Sequence, residues 1–154
     1  MTELDSLCAG PSIVPPTAPD KIHISTKMIW NVFAGGPLAE AAMPKVYPVF
    51  VDVRDVARLV AFAVENPAKT DNERFILARY YVTPQAVADI LLERYPEMSR
   101  VIEKGIPGNG NNRGYAFPGK VALDGSKAVK VTGREYTPWE TTVVDTVESL
   151  RHLL

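Results

Sequence analysis

Val49-Phe50-Val51-Asp52-Val53-Arg54-Asp55-Val56-Ala57 is the stretch of sequence that decides the fold. Its first three residues form a continuous apolar run, which is typical of a strand buried in a parallel sheet. Asp52 then suits the N-cap of a helix, because its carboxylate can accept a hydrogen bond from a free backbone N–H group. The apolar residues of that helix recur at helical spacing and are Val53, Val56, Ala57, Val60, Ala61 and Val64. The stretch therefore predicts a strand that leads directly into an amphipathic helix, which Asn66-Pro67 ends.

The sequence before this stretch predicts one weak strand, a loop and a helix. Residues 4–9 are mixed in character and indicate the strand only weakly. Four prolines between residues 10 and 20 exclude a helix or a central strand there, so that region is expected to be a loop. Residues 24–34 carry apolar side chains three and four positions apart, which predicts a helix that ends at Gly35-Gly36-Pro37. Residues 35–48 are expected to be irregular.

The sequence after the deciding stretch continues the alternation of strands and helices. Residues 74–78 predict a strand, and Thr83-Pro84 provides an N-cap and a first helical residue for the helix that follows. That helix is expected to bury Val87, Ile90 and Leu91 and to end at Pro96. Alternating strands and helices indicate an α/β fold, although four strands at most are fewer than a doubly wound sheet normally has.

The last third of the chain is expected to hold a long polar loop and two helices. Residues 104–119 are rich in glycine, proline and asparagine, and a short strand is expected at 120–124. Residues 126–131 predict a short helix that ends at Gly133. Thr137-Pro138-Trp139-Glu140 has the pattern of a capping box and predicts a final helix. The buried stripe of that helix is expected to be Trp139, Val143, Val147 and Leu150.

The overall composition excludes several classes of protein. The 154 residues are 46% hydrophobic and 23% charged with a net charge of -1, which excludes a disordered tail and a clamp for nucleic acid built on basic charge. The longest apolar run is too short to cross a membrane, and no secretory signal is evident. The single cysteine cannot form an intrachain disulfide. We therefore expect a cytoplasmic globular protein with no nucleic-acid or membrane partner.

Motifs that carry chemistry are mostly missing from the sequence. Cys8 stands alone, and His23 and His152 are far apart, so no metal site is expected and the catalytic residues stay unknown. The glycine turn of residues 105–110 follows no convincing strand and opens no helical stripe, so we interpret it as a surface loop and not as a nucleotide-binding turn. No tyrosine is followed by lysine four positions later. Arg54 and Asp55 are expected to cap the helix and to form an ion pair with a neighbouring element.

The deciding stretch nevertheless resembles a segment of a known family. Residues 50–57 are similar to the F-[IV]-D-V-R-D-V-A segment of extended short-chain dehydrogenases/reductases, in the dihydroflavonol-reductase-like branch that includes fungal aldehyde and ketone reductases. Four other segments resemble that family in the same order, namely residues 9–16, 21–26, 73–77 and 143–147. The cofactor turn and the Tyr-x-x-x-Lys dyad of the family precede the segment that begins here at Ala9. The resemblance is thus to the C-terminal, substrate-binding half of such an enzyme.

The resemblance implies a fold, a site and a cofactor. It implies a single truncated domain over residues 1–154, with a few parallel strands of a Rossmann-type sheet and the mainly helical substrate-binding subdomain. By position in the family, Val14, Ser25 and Thr26 are expected to touch the nicotinamide end of NADP. Gly10, where the family has asparagine, departs from the pattern. The chain alone is expected to retain no cofactor, and to bind NADP only if an N-terminal half completes it.

Three functions remain open at this point. The first is the substrate-binding part of an NADP-dependent carbonyl reductase of fungal secondary metabolism, which is not redox-competent on its own. The second is a cofactor-independent isomerase, cyclase or dehydratase that reuses the substrate pocket. The third is a non-catalytic module that binds a small molecule or a partner protein. The candidate residues of the substrate pocket are Tyr80, Tyr81, Arg113 and Tyr115.

The expected partners follow from these functions. A small organic carbonyl compound or a polyketide-like molecule is the expected ligand. Helices that normally pack on a sheet built by another half of the fold would leave apolar faces and strand edges exposed. We therefore expect the chain to self-associate or to bind a complementing chain.

Overall fold

Three short strands form one sheet at the centre of the fold. The computed structural model describes residues 7–41, 49–110 and 123–154. Within them the strands are β1 (Leu7–Ala9), β2 (Val49–Asp52) and β3 (Tyr80–Tyr81), in the order β1-β2-β3. β1 and β2 are parallel, with Leu7 opposite Phe50, whereas β2 and β3 are antiparallel, with Phe50 opposite Tyr80. The buried strand predicted at Val49 is therefore confirmed.

Helices make up most of the remaining described chain. They are α1 (Ile24–Phe33), α2 (Leu38–Ala41), α3 (Val53–Glu65), α4 (Pro67–Thr70), α5 (Pro84–Arg94), α6 (Ser126–Thr132) and α7 (Trp139–Leu150). Short 3-10 helices lie at Pro19–Lys21, Pro96–Arg100 and Arg151–Leu153. The mainly helical α/β architecture with a small sheet confirms the expected fold class. No helix in the described part of the chain is long and apolar enough to cross a bilayer.

Helices α1, α5 and α7 pack together and against the sheet to form the core. The final helix buries the predicted stripe of Trp139, Val143, Val147 and Leu150. Trp139 packs on Phe50 of the central strand, with 5.1 Å between the ring centroids. The fully buried Ile29 of α1 and Leu91 of α5 belong to the same cluster. Helices from the first, middle and last thirds of the chain thus share one core with the central strand.

The helix starts follow the predicted residues in some places and not in others. Asp52 caps α3 as predicted, because its Oδ1 accepts a hydrogen bond of 2.8 Å from the N–H of Arg54. Gly133 ends α6 with a φ of 68°, a conformation that favours glycine. The capping box predicted at Thr137 is wrong: Pro138 is the N-cap of α7, and the Thr137 hydroxyl donates to Asp55. Thr83 is the N-cap residue of α5 and Pro84 its first helical residue, as predicted, although the Thr83 hydroxyl donates to the carbonyl of Gly110 and not to the helix.

The strand predicted at residues 74–78 is also wrong. Residues 73–79 carry no strand, and the ladder begins where the N–H of Arg79 donates to the carbonyl of Phe50 at 3.1 Å. Strand pairing therefore starts only where the chain reaches β2, because an apolar segment needs a neighbouring backbone to form a strand. β2 is the central strand of the three described strands.

Four further predicted segments lie before β2, at the N-terminus and between residues 104 and 124. The stretch between Pro37 and Pro48 was expected to be irregular, but it begins with the short helix α2, and its residues 42–48 lie outside the described part of the chain. Parts of three other predicted segments lie outside the described residues. They are residues 4–6 of the weak strand, residues 111–119 of the long loop and residues 120–122 of the strand expected at 120–124. Leu123 and Asp124 are not in a strand.

Candidate functional site

A cavity of about 970 Å³ lies beside the proline-rich loop. Its walls are the loop of residues 10–17, the first turns of α1 and α3, and the C-terminal end of α7. The lining is mostly apolar, which is typical of sites for small organic ligands. Val14, Ser25 and Thr26, the three residues expected at a nicotinamide, all line this cavity.

The proline-rich loop is attached to the fold at both of its ends. Gly10 has a φ of 144° and approaches α3 so closely that a Cβ there would lie 2.7 Å from Cγ1 of Val53. At the other end, Nε2 of His152 lies 3.0 Å from the carbonyl oxygen of Pro16. Between these points the Ser12 hydroxyl donates to the carbonyl of Val14 at 2.6 Å. The loop thus presents the Val14 side chain, which is 80% exposed, to the solvent side of the cavity.

The polar wall of the cavity is the start of α1. His23 is the N-cap, and its Nδ1 accepts from the N–H of Ser25 at 3.3 Å and lies 2.8 Å from the Ser25 hydroxyl. The Thr26 hydroxyl donates to the carbonyl of His23 at 3.0 Å. Two hydroxyls are therefore held in fixed positions, since each bonds to the cap residue. The sequence did not indicate that His23 is the cap.

A network of charged side chains closes the other wall, at the start of α3. Arg54 donates from Nε and Nη2 to the two oxygens of Asp52, each at 2.8 Å, and from Nη1 to Asp145 of α7 at 2.6 Å. The Thr142 hydroxyl donates to Oδ2 of Asp52 at 2.7 Å. This confirms the ion pair expected between Arg54 and a neighbouring element. The sequence did not identify Thr142 and Asp145 as the partners, because they lie about 90 residues away.

The network sets the charges of its members. Burial opposes ionisation of Asp52, but hydrogen bonds from Arg54 and Thr142 outweigh it and lower the pKa of the carboxyl group. The hydrogen bonds to Asp52, and in turn the contact with Asp145, raise the pKa of the Arg54 guanidinium. Both groups are thus charged at neutral pH. Arg54 forms ion pairs with two carboxylates and thereby stabilises the junction of α3 with α7. Because these carboxylates neutralise its charge, Arg54 is not available to bind an anionic ligand.

In the glycine turn of residues 105–110, two central backbone N–H groups already have hydrogen-bond acceptors and are not free to bind a phosphate. The N–H of Ile106 donates to Oε1 of Gln85 at 2.9 Å, and the N–H of Gly108 donates to Oδ2 of Asp89 at 2.8 Å. A nucleotide-binding turn would offer such groups to a pyrophosphate, and the Asp89 carboxylate would repel one. The geometry agrees with a loop fastened to α5.

The described residues contain no group of three or more His, Cys, Asp and Glu side chains that could hold a metal ion. The side chains of both histidines are used in local contacts, His23 at the start of α1 and His152 against Pro16. Cys8 lines the cavity, and burial raises the pKa of its thiol, which disfavours the thiolate needed for nucleophilic attack.

Comparison with known proteins relates both the sequence and the fold to yeast oxidoreductases. An uncharacterized oxidoreductase of Saccharomyces cerevisiae is 31% identical over 150 residues, which cover 94% of this chain and 40% of the relative. The NADPH-dependent methylglyoxal reductase of the same yeast is 29% identical over 143 residues, covering 92% of this chain and 40% of the relative. The chain thus spans about 40% of the length of these curated relatives. No model of a protein family matches the sequence.

Solved structures give the same relationship. The reductase Gre2 of Candida albicans superposes with a TM-score of 0.69 at 25% identity, over 96% of this chain and 42% of that structure. This chain corresponds to the C-terminal part of an extended short-chain dehydrogenase/reductase. Yeast methylglyoxal/isovaleraldehyde reductase complexed with NADPH has the same fold, with a TM-score of 0.72 at 24% identity over 99% of this chain and 46% of that structure.

Relationship to these reductases confirms the resemblance, but it does not test the individual site residues. The structure brings Val14, Ser25 and Thr26 together in one cavity, and their contact with NADP stays a prediction. Of the residues expected in the substrate pocket, Arg113 and Tyr115 lie outside the described residues.

The other two residues expected in the substrate pocket, Tyr80 and Tyr81, lie on β3 and do not line the cavity beside the proline-rich loop. The Tyr80 hydroxyl donates to the carbonyl of Thr137 at 2.9 Å, and its ring packs on Trp139. Burial raises the pKa of Tyr80, so its hydroxyl stays protonated at neutral pH. In this position Tyr80 supports the start of α7, and a role for either tyrosine with a substrate stays a prediction.

Proposed function

We propose that this chain supplies the substrate side of the active site of an NADPH-dependent carbonyl reductase and is not redox-competent on its own. The observation that carries the proposal is the cavity that gathers Val14, Ser25 and Thr26 between the proline-rich loop and α1. The wall combines an exposed apolar side chain with two hydroxyls in fixed positions, which suits the flat nicotinamide ring and its ribose.

The 154 residues contain one wall of such a site and not the rest. When NADPH is bound, it supplies a hydride to the carbonyl carbon, and a proton donor must act on the carbonyl oxygen. The Ser25 and Thr26 hydroxyls would hold the nicotinamide end, and the apolar loop at Val14 would exclude water. The glycine-rich cofactor turn and the Tyr-x-x-x-Lys proton donor are not in this sequence. A second part of the fold must provide both.

The relatives named above give the substrate class for this proposal. One of them is named for methylglyoxal and another for methylglyoxal and isovaleraldehyde, which are small aldehydes. We therefore assign small aldehydes and ketones to this chain as substrates when the fold is complete. A cofactor-independent enzyme and a plain binding module gain no support from these relatives.

The test compares the chain alone with a fused protein. In the fusion, the part of the Saccharomyces cerevisiae methylglyoxal reductase that this chain does not match precedes the full chain. We expect no NADPH oxidation with methylglyoxal or isovaleraldehyde by the chain alone, and measurable oxidation by the fusion. Oxidation by the chain alone would refute the claim that it is not redox-competent, and an inactive but folded fusion would refute the proposed function.

Variants of the fusion test the cavity wall. Ser25→Ala removes a hydroxyl from the wall, and we expect the KM for NADPH to rise about tenfold, the equivalent of one lost hydrogen bond. Ser99→Ala changes an exposed serine of the 3-10 helix Pro96–Arg100 and is the matched control. An equal KM in both variants would remove Ser25 from the binding site.

A further inference from the structure

Residues 11–17 of the proline-rich loop have few contacts that hold them in place. None of these residues is buried, and Ile13 at the tip is 99% exposed. The hydroxyl of Ser12 bonds within the loop, to the carbonyl of Val14. Within the described part of the chain, a single hydrogen bond joins residues 11–17 to another element, and it runs between the ring of His152 and the carbonyl of Pro16. The position of the loop therefore depends on this one polar contact.

His152 itself is held by the core of the fold. It lies on the 3-10 helix Arg151–Leu153, and Leu153 packs against the core cluster. On the other side of His152, the guanidinium of Arg151 lies over the ring of Tyr95, 5.6 Å from the ring centroid, and Nη1 of Arg151 lies 3.5 Å from Oε1 of Glu148. Both neighbours of His152 are thus in contact with residues of the helices α5 and α7 or close to them, so the imidazole extends from a fixed support.

The chemistry of the contact suits a fastening between two segments. A carbonyl oxygen only accepts hydrogen bonds, so Nε2 of His152 carries the proton and donates to Pro16 over 3.0 Å. Pro15 and Pro16 each have a fixed φ angle, which leaves the backbone on either side of this bond few ways to move. One hydrogen bond can therefore hold a segment whose prolines already limit its freedom.

The same contact joins two walls of the cavity beside the loop. Ser149 and Leu150, at the C-terminal end of α7, line the cavity on one side, and residues 10–17 line it on another. His152 follows Leu150 by two positions and reaches across to Pro16. Val14 lies two positions before Pro16, so a loop released from His152 would no longer keep Val14 at a fixed distance from the hydroxyls at the start of α1.

We propose that His152 is a positioning residue, which holds the proline-rich loop against the end of α7 and thereby raises the affinity of the cavity for the nicotinamide end of NADPH. The proposal rests on the proposed function. His152 does not line the cavity, so it acts through the loop and not by contact with the cofactor. A loop that is fixed before binding loses less conformational freedom when the cofactor arrives. A loop without this contact has the binding arrangement only part of the time, and the apparent affinity falls in proportion.

NMR relaxation of the 154-residue chain tests whether His152 holds the loop. We expect order parameters of about 0.8 for the N–H groups of Ser12, Ile13 and Val14 in the wild type, and values below about 0.6 in His152→Ala. His152→Gln keeps an N–H donor at a position similar to Nε2 and should restore the wild-type values. Leu154→Ala is the matched control, since Leu154 is 65% exposed and its side chain lies outside this contact, so it should leave the loop unchanged.

The same variants of the fused protein described above test the effect on the cofactor. We expect the Kd for NADPH, measured by NADPH fluorescence, to rise about three- to tenfold in His152→Ala and to recover in His152→Gln, as for one lost and regained hydrogen bond. The kcat at saturating NADPH should change less than about twofold, because the bound cofactor restores the loop position. A general loss of folded protein would instead lower kcat and leave the Kd unchanged.

Two results would overturn the proposal. The first is equal order parameters for the loop in the wild type and in His152→Ala. The second is an unchanged Kd for NADPH in the His152→Ala fusion, when the wild-type fusion binds the cofactor. A wild-type fusion that folds but neither binds nor oxidises NADPH would refute the proposed function, and with it the effect on affinity. In that case a difference in the order parameters would confirm only that His152 holds the loop.

Discussion

The buried carboxylate of Asp55 binds Thr137 twice, once through the backbone N–H at 3.0 Å and once through the hydroxyl at 2.9 Å. The two residues are 82 positions apart, and their contact joins the first turn of α3 to the residue before the N-cap of α7. The Thr137 hydroxyl, which the sequence pattern predicted to cap α7, thus donates to Asp55. The start of α7 is therefore held by a hydrogen bond to α3 and not by a cap from Thr137.

Removing the Thr137 hydroxyl is expected to destabilise the protein. In Thr137→Val the Asp55 carboxylate keeps the backbone donor but loses the hydroxyl, so we expect the free energy of unfolding to fall by about 1–3 kcal/mol. Thr137→Ser keeps the hydroxyl and should recover most of that loss. Urea unfolding followed by tryptophan fluorescence measures both. Thr141→Val, at an exposed position of α7, is the control and should change stability by less than about 0.5 kcal/mol.

The charge of Asp52 is expected to make stability depend on acid pH. The pKa of Asp52 is lowered from 3.8 in the folded protein, so its ionised form stabilises the fold above that value, and the stabilisation is lost as the pH falls through the folded pKa. Asp52→Asn cannot ionise. We expect it to be less stable than the wild type at pH 7 by about 1.5–3 kcal/mol, with a difference that narrows below about pH 4.

Urea unfolding at pH 7, 5, 4 and 3 measures this dependence. Asp71→Asn replaces an exposed carboxylate after α4 and should differ from the wild type by less than about 0.5 kcal/mol at pH 7. A difference between Asp52→Asn and the wild type that stays constant from pH 7 to pH 3 would contradict the assigned role of the charge.

The core is expected to be sensitive where the three long helices meet. Leu91 of α5 is fully buried in the cluster formed with α1 and α7, so Leu91→Ala should lower the free energy of unfolding by about 2–5 kcal/mol. Leu154→Ala removes the same atoms from a side chain that is 65% exposed and should change stability by less than about 0.5 kcal/mol. Equal effects in thermal unfolding would mean that α5 does not contribute to the core in this way.

Local sequence signals predicted the elements that depend on neighbouring residues. The strand at Val49, the cap at Asp52 and the buried stripe of α7 each follow from a pattern within about a dozen residues. The partners of Asp52 and Asp55 on α7 and just before it could not be predicted, since they lie 90 and 82 positions away.

The orientation of α3 beside the site could not be predicted from local sequence either. Its valines mark an amphipathic helix, but the sequence alone does not say whether the apolar side meets this chain or another part of the fold. Likewise, a resemblance placed Val14, Ser25 and Thr26 near one ligand, and only the structure shows that they share a cavity. The start of strand β3 depends on its alignment with β2, which the pattern at residues 74–78 did not contain.

The glycine turn packs on the start of α5 at Gly110, where the backbones approach so closely that only glycine fits. A Cβ at this position would lie 2.5 Å from Cα of Ala86, so the turn or the helix would have to move. We expect Gly110→Ala to detach the turn and to lower the free energy of unfolding by about 1–3 kcal/mol. The hydrogen bond from the N–H of Ile106 to Gln85 should then open, and hydrogen exchange of that amide should accelerate.

Gly133→Ala separates this local effect from a general loss of stability. Gly133 has a φ of 68° with open space around its Cα, so alanine there adds backbone strain of about 1 kcal/mol at the end of α6 without touching the turn. Hydrogen exchange with mass spectrometry over residues 104–110 should therefore be faster in Gly110→Ala and unchanged in Gly133→Ala. Equal acceleration in the two variants would show that the turn opens only with the whole fold, and that its contacts with Gln85 and Ala86 do not hold it independently.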